Sequence, residues 1–341
     1  MYKILSIDGG GIRGIIPAVI LSYLEEQLRQ RTGSDSATLA DYFDMVAGTS
    51  TGGILACFYL LPPAEGQALH SRYAAKDAVD LYARRGKEIF SRKRLLGLGS
   101  EAYSSAGLER VLLEVMGEAT LADARKDCLI TAYDIAKRQA MLFTGAEAQR
   151  YAHRNYLLRD VARATSAAPT YFEPAQVRSL GGAISYLVDG GMYAGNPALC
   201  AYVEARKKLA EQEKAATATA SADASASADG LFVLSIGTGK ELKKYDYHKA
   251  KGWGLGGWAR PVLDILLSSS AEVVDYQLRR IFAAAGAPHR YRRLEPALHG
   301  AKPDMDDASD KNISLLTDAA NAFIEGNIEN LDELAEEILK S

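Results

Sequence analysis

The chain has 341 residues, of which 48% are hydrophobic and 24% charged, and its formal net charge is −3. This length and composition are ordinary for a soluble globular protein built as one large or two smaller domains. The small net charge gives no reason to expect a nucleic acid polymer as partner.

The N-terminus runs directly into an apolar segment, without the charged region and cleavage site of a signal peptide. No stretch has the roughly 18 uninterrupted apolar residues of a membrane span. Cys57, Cys128 and Cys200 are too widely spaced for a metal-ligand cluster and predict reduced, buried thiols. We therefore expect a cytoplasmic protein that needs no metal or other cofactor and contacts lipid only peripherally.

The first predicted strand, residues 3–8, leads into the glycine loop 9–14 and a helix that begins near Pro17. Gly9, Gly11 and Gly14 fit the dinucleotide-binding pattern G-x-G-x-x-G. That pattern needs an acidic residue about 20 positions on at a strand end, and the polar segment found there does not read as a strand. The dinucleotide site is therefore the least favoured of three interpretations. The others are a tight turn without chemistry and a set of free backbone N–H groups that binds an oxyanion, with Arg13 beside it. We favour the interpretation in which the loop binds an oxyanion.

A second glycine-rich turn lies in the segment 43–56, where an apolar run is followed by G-x-S-x-G and an apolar helix. A nucleophilic serine on a sharp strand-to-helix turn requires small neighbours, here Gly48 and Gly52, on both sides of Ser50. The motif alone fits a nucleophile and an ordinary small-residue turn equally well.

The segment 60–125 has a helical, amphipathic pattern, and residues 84–94 within it form a basic run. Anionic lipid could bind this run, but a solvated helix face is the commoner explanation. Residues 251–258 read as a mobile glycine-rich loop that carries Trp253 and Trp258, either as a lid or interfacial anchor or as packed core rings.

Further predicted strands cover residues 127–134, 139–144, 184–189 and 231–236, with a helix over 157–168. Strands that alternate with helices predict an α/β fold with a mostly parallel sheet and helices on both faces. In such sheets ligands bind at the carboxyl ends of strands, where Asp8, Ser50 and Asp189 all lie. We expect them to converge at one rim.

We expect a single domain over residues 1–341, with a flexible low-complexity insertion at about 215–229. A helical C-terminal part follows from about residue 259, in which the final helix covers about 310–339.

A serine hydroxyl needs a base within hydrogen-bond reach, and the residues alone leave two possibilities open. A late histidine, His289 or His299, would fit the chain order of an α/β-hydrolase, whereas His70, His153 and His248 would not. Alternatively, a partly desolvated Asp189 could accept the proton directly.

Three motifs in this order, Asp8–Gly14, Gly48–Gly52 and Asp189–Gly191, resemble those of the patatin-like phospholipase family. The segments Ser235–Gly239 and Met305–Ser309 resemble it as well, so the resemblance covers nearly the whole chain. It implies a three-layer α/β/α sandwich and a Ser50–Asp189 dyad without histidine. It also implies an oxyanion hole of Gly10 and Gly11 with Arg13, and calcium-independent hydrolysis of phospholipid or other acyl esters at a membrane surface.

Three alternatives stay open beside this interpretation. The protein could be an ordinary Ser-His-Asp esterase, or a storage or binding protein with a vestigial site. The segment Tyr2–Pro17 is also similar to bacterial phospholipases of anti-phage systems that cyclic dinucleotides activate, which would add a nucleotide regulator.

Overall fold

A computed structural model of the chain describes residues 1–64, 70–90, 103–216, 230–240 and 245–340. Most of the predicted insertion and the second half of the basic run lie outside these residues. The first half of that run belongs to a helix, Ala75–Ile89.

Within the described residues the sheet has eight strands, namely β1 (Tyr2–Ile7), β2 (Met45–Gly48), β3 (Asp127–Asp134), β4 (Gln139–Thr144), β5 (Ala175–Arg178), β6 (Ile184–Asp189), β7 (Leu231–Ile236) and β8 (Tyr291–Leu294). Their order is β5-β6-β3-β2-β1-β7-β8, and β4 pairs with β3 outside this path. The five strands from β3 to β8 along this path are parallel, whereas β4, β5 and β6 pair in antiparallel fashion. The predicted mostly parallel sheet is confirmed.

The described helices are α1 (Ile15–Thr32), α2 (Leu39–Tyr42), α3 (Thr51–Tyr59), α4 (Ala75–Ile89), α5 (Ser105–Met116), α6 (Gly145–Arg150), α7 (Leu158–Thr165), α8 (Ala198–Ala216), α9 (Tyr247–Ala250), α10 (Gly254–Ala284), α11 (Asp310–Glu325) and α12 (Ile328–Lys340). Two sequence expectations are wrong here. The predicted glycine-rich loop becomes helical from Gly254, so that Trp258 is a helix residue. The predicted final helix is two helices, interrupted at Gly326 and Asn327.

Alternate residues of the central strands face two different helical layers, as the two-residue period of a strand requires. Leu5 and Ile7 of β1 belong to the larger core, which includes residues of α1, α3, α5 and α11. Ile4 of the same strand belongs to a second core with residues of α8 and α10. The protein is therefore a three-layer α/β/α sandwich, as expected.

In the described part of the chain, no helix has the length and apolarity needed to cross a bilayer. All three cysteines are free thiols, of which Cys57 and Cys128 are buried and Cys200 is half-buried. The cytoplasmic location and the single-domain organisation stay predictions.

One buried carboxylate joins three helices of the larger layer. Glu25 of α1 is 2% exposed and accepts hydrogen bonds from the first backbone N–H groups of α2, at Leu39, and α4, at Ala75, both at 2.9 Å. Arg29 contacts the same carboxylate at 3.0 Å. Both N–H groups lie in the first turn of a helix, where no intrahelical acceptor exists, so Glu25 satisfies them.

We predict that Glu25→Ala lowers the free energy of unfolding by about 3 kcal/mol, because it leaves two buried donors without an acceptor. Urea denaturation followed by circular dichroism measures this. Glu26→Ala is the matched control, since Glu26 is exposed on the next position of α1. Equal loss in the two variants would contradict the assigned role of Glu25.

Candidate active site

Ser50 lies on the sharp turn between β2 and α3, in the left-handed backbone region with φ of 55°. A side chain at Gly48 would place its Cβ 2.1 Å from the carbonyl oxygen of Gly52. A side chain at Gly52 would place its Cβ 2.1 Å from the carbonyl oxygen of Ile7 in β1. The two glycines are therefore required by backbone packing, and the strained serine between them fits the geometry of a nucleophile turn.

Helix α7 supports this turn from the other side. The backbone N–H of Ser50 donates to Oγ1 of Thr165 at 2.9 Å, and Gly53 of α3 packs against the same threonine. The sequence did not predict this hydrogen bond.

Asp189 ends β6, and its position follows from the register of that strand. Because β6 is antiparallel to β3, its carboxyl end should face the rim opposite Ser50. However, β6 pairs only with the last three residues of β3, so Asp189 stands opposite Ala132. Gly190 then crosses β3, where a Cβ would lie 2.1 Å from Oγ1 of Thr131. The short overlap brings Asp189 to Ser50.

The Asp189 carboxylate is 4% exposed, and its Oδ1 accepts a hydrogen bond from the backbone N–H of Gly191 at 2.7 Å. Burial raises the pKa of this carboxyl group from 3.8 to about 6, while hydrogen bonds from the Ser50 hydroxyl and from Gly191 act in the opposite direction. Desolvation disfavours the charged form of the carboxyl group, and it is the larger of these effects. Asp189 is thus an acid in contact with Ser50, with a pKa near neutrality.

A largely apolar cavity with an empty volume of about 1050 Å³, including its open part, leads to Ser50 and Asp189. Its walls consist mainly of aliphatic and aromatic side chains, among them Ile54, Leu81, Phe90, Leu108, Val111, Leu112, Met116, Phe172 and Leu266. This lining suits an apolar group of a substrate whose polar end lies at the serine.

The glycine loop lies beside Ser50, and Gly10 and Gly11 line the cavity. Within the described residues, their backbone N–H groups donate to no acceptor. The carbonyl oxygen of Gly9 accepts from Oγ1 of Thr238 at 2.8 Å. That of Gly10 accepts from Nε of Arg13 at 3.4 Å and from its backbone N–H at 3.3 Å. In a trans peptide the carbonyl and the following N–H point in opposite directions, so these contacts turn the N–H groups of Gly10 and Gly11 away from Thr238 and Arg13.

Arg13 itself lies on the far side of the loop from Ser50. Its guanidinium donates to the carbonyl oxygens of Gly10 and Gly239, and it lines a second, polar cavity rather than the apolar one. Asp8 lines that polar cavity too, where its carboxylate pairs with Arg293 at 2.6 Å. Of the three strand-end features expected at one rim, Ser50 and Asp189 meet, whereas Asp8 faces the other side.

None of the five histidines, all of which lie in the described residues, lines the apolar cavity. Nδ1 of His70 lies 2.9 Å from a carboxylate oxygen of Asp41. The other four are exposed at the surface, namely His153, His248, His289 and His299. Within the same residues, no three His, Cys, Asp or Glu side chains are arranged to hold a metal ion.

Known proteins resemble this chain over most of its length. A sequence model described as patatin-like phospholipase matches residues 5–202 of the chain. The chain is 33% identical to Patatin-like protein 2 of Oryza sativa subsp. indica, over 97% of this chain and 86% of that one. It is also 33% identical to Patatin-04/09 of Solanum tuberosum, over 100% of this chain and 88% of the relative.

The chain belongs to the patatin-like phospholipase family. The predicted family is confirmed, and the protein is by membership a patatin family hydrolase. These named relatives are plant proteins, so the bacterial character that the resemblance suggested stays a prediction. Among solved structures, VipD of Legionella pneumophila aligns with 94% of this chain and 67% of its own, at 12% identity and a TM-score of 0.38.

Three supporting threonines were not predicted as parts of the site. Thr165 contacts the Ser50 amide, Thr238 holds the Gly9 carbonyl, and Thr49 joins Oγ1 of Thr131 at 2.7 Å beside the Asp189 turn. Thr238 lies in the segment Ser235–Gly239 and Thr49 in the motif Gly48–Gly52, but neither pattern gave the threonine a role. Contacts between strand ends so distant in sequence depend on the strand order, which no local pattern encodes.

Proposed function

We propose that this patatin-like protein is a lipid acyl hydrolase of phospholipase A type, which cleaves fatty acyl esters through an acyl-Ser50 intermediate. The observation that carries the proposal is the contact between the Ser50 hydroxyl and the buried Asp189 carboxylate at the end of an apolar cavity. The cavity would hold the acyl chain, and the ester carbonyl would lie at the serine.

In the proposed reaction, the Ser50 Oγ attacks the ester carbonyl carbon while Asp189 accepts the hydroxyl proton. The carbonyl oxygen becomes negatively charged and would be stabilised by the N–H groups of Gly10 and Gly11 and by the N-terminus of α3. Collapse of this intermediate breaks the ester bond, and the proton passes from Asp189 to the leaving alcohol. Water then attacks the acyl-serine with Asp189 again as base. The bond between the acyl carbon and Ser50 Oγ breaks, Asp189 returns the proton to Oγ, and the fatty acid leaves.

We expect Ser50→Ala and Asp189→Asn each to abolish hydrolysis of phospholipid and neutral esters, because one removes the nucleophile and the other the base. The five His→Ala variants should retain most activity, since none of these side chains reaches the cavity. Hydrolysis of an ester panel, with the released chain position resolved, measures this. A fully active Asp189→Asn enzyme, or a folded His variant without activity, would contradict the dyad.

Three further measurements test the other hypotheses. Labelling of wild type but not of Ser50→Ala by a fluorophosphonate probe would argue against a storage protein with a vestigial site. Activity that persists in EDTA would support calcium independence. The nucleotide regulator stays a hypothesis, which a comparison of activity with and without cyclic dinucleotides tests.

The pKa of Asp189 predicts the pH dependence of the reaction. Burial raises it to about 6, and only the ionised form can accept the serine proton. We therefore expect kcat/KM to rise with pH, to reach half of its maximum near pH 6 and to stay constant above. Initial rates with a soluble ester between pH 3 and 9 measure this. A half-maximum near 3.8, the ordinary value, would show that burial does not control this group.

Thr238 is proposed as a positioning residue for the oxyanion hole. We expect Thr238→Val to lower kcat roughly tenfold to hundredfold with little change in KM, because the Gly9–Gly10 peptide loses the hydrogen bond that orients it. Thr238→Ser keeps the hydroxyl and should restore most of the rate. A purely structural role would instead predict equal loss of folding stability and of kcat in both variants.

A further inference from the structure

Helix α10 carries an apolar stripe that no other part of the described chain covers. Its large apolar residues between 37% and 62% exposed are Trp258, Val262, Ile265, Leu266, Val273 and Tyr276. At 100° per residue these positions and Ser269 fall within an arc of about 100°, and they extend over roughly 27 Å of helix. We call these seven residues the α10 stripe.

The stripe is a genuine outer face of the helix. Leu278 and Phe282 lie on the opposite side of α10 and are completely buried in the core beneath the sheet. Ser270, also away from the stripe, accepts a hydrogen bond from the backbone N–H of Gly195 at 3.1 Å. The helix is therefore anchored through one face and presents the other to the outside, although a helix on a soluble surface normally presents polar residues there.

The α10 stripe is continuous with the catalytic cavity. Leu266 belongs to the stripe and also lines the apolar cavity that contains Ser50 and Asp189. An apolar path thus runs from the outer face of α10 to the candidate nucleophile. A protein partner seated on the stripe would lie against Leu266 at the edge of this cavity, whereas a lipid surface there would supply its substrate.

Both tryptophans of the chain lie at the N-terminal end of this face. The rings of Trp253 and Trp258 are 5.0 Å apart at an angle of 78°. Tryptophan is enriched where a protein meets the interface of a bilayer, because its ring is apolar and its N–H can donate to polar groups.

The charge of α10 indicates which lipids would bind. The helix has three arginines, Arg260, Arg279 and Arg280, and three carboxylates, Asp264, Glu272 and Asp275, so its formal charges cancel. A lipid contact through this helix would depend on apolar burial rather than on anionic head groups.

We propose that the α10 stripe docks the enzyme on a zwitterionic phospholipid surface and places the mouth of the cavity at that surface. The proposal rests on the proposed function, since it identifies the surface from which the acyl chain enters. Docking itself is separable from catalysis and is measured as binding.

The test uses Ser50→Ala protein, so that no product accumulates, and phosphatidylcholine vesicles. Flotation measures the bound fraction, and the tryptophan emission reports the environment of Trp253 and Trp258. We expect binding and a blue shift of the tryptophan emission. The bound fraction should change little between 50 and 500 mM NaCl, because the formal charges of α10 cancel. Binding that high salt abolishes, or vesicles that leave the emission unchanged, would overturn the proposal.

Val262→Glu combined with Val273→Glu places two charges in the stripe away from the cavity lining. We expect this variant to bind vesicles at least about tenfold more weakly, because charged side chains resist burial among lipid. Val203→Glu is the matched control, since Val203 is 57% exposed on α8 outside the stripe, and it should bind as the parent does. Equal loss in both variants would overturn the assignment to α10.

In the catalytically competent background, the double variant should lose activity on vesicles but keep its rate on a water-soluble short-chain ester. If wild type cleaves neither substrate, the proposed function fails while the binding experiment still decides the docking. A second copy of the chain could also occupy the stripe, and light scattering of the protein without vesicles tests this. A wild-type dimer that the double variant converts to a monomer would assign the stripe to a second copy of the chain and overturn the proposal.

Discussion

The backbone of β1 lies directly against the backbone of α3 at Gly52, with no side chain between them. This contact requires the absence of a Cβ at Gly52, and the close approach of Gly48 in β2 to the Gly52 carbonyl likewise requires a glycine. Between these two glycines Ser50 adopts the left-handed conformation. Because the glycine loop continues from β1, the same contact also places Gly10 and Gly11 beside Ser50. The candidate nucleophile and the candidate anion-binding amides are thus brought together by one close approach of two backbones.

The acid reaches this point by a different route. A strand antiparallel to its neighbour normally delivers its carboxyl end to the wrong rim, and only the short overlap of β6 with β3 prevents this. The chain then follows the rim, where Oγ1 of Thr49 donates to the Ala194 carbonyl and Gly9 donates to that of Gly195. Each of these contacts ties the segment after Asp189 to a strand end, which explains how a turn aspartate becomes buried and acquires a raised pKa.

Much of the fold could be predicted from the sequence, since the strands 127–134, 139–144, 184–189 and 231–236 are apolar runs with the observed bounds. The start of α10 could not, because Gly254, Gly256 and Gly257 have low helix propensity and favour the loop that the sequence predicted. The glycine turns also indicated where the site lies. The side of the loop that Arg13 occupies depends on the position of β7 beside β1, which only the sheet order determines.

Helix α10 illustrates a further limit of sequence patterns. Its apolar residues occur on two faces, and the pattern cannot distinguish the buried pair Leu278 and Phe282 from the exposed Val273 and Tyr276. In the structure the buried pair packs beneath the sheet, whereas the exposed face extends towards the cavity mouth at Leu266. An isolated exposed apolar residue needs no explanation, but a stripe along one face that ends at a substrate cavity does. An enzyme whose substrate resides in an aggregate meets that aggregate at the cavity mouth, so apolar exposure there has a function that it would lack elsewhere on the surface.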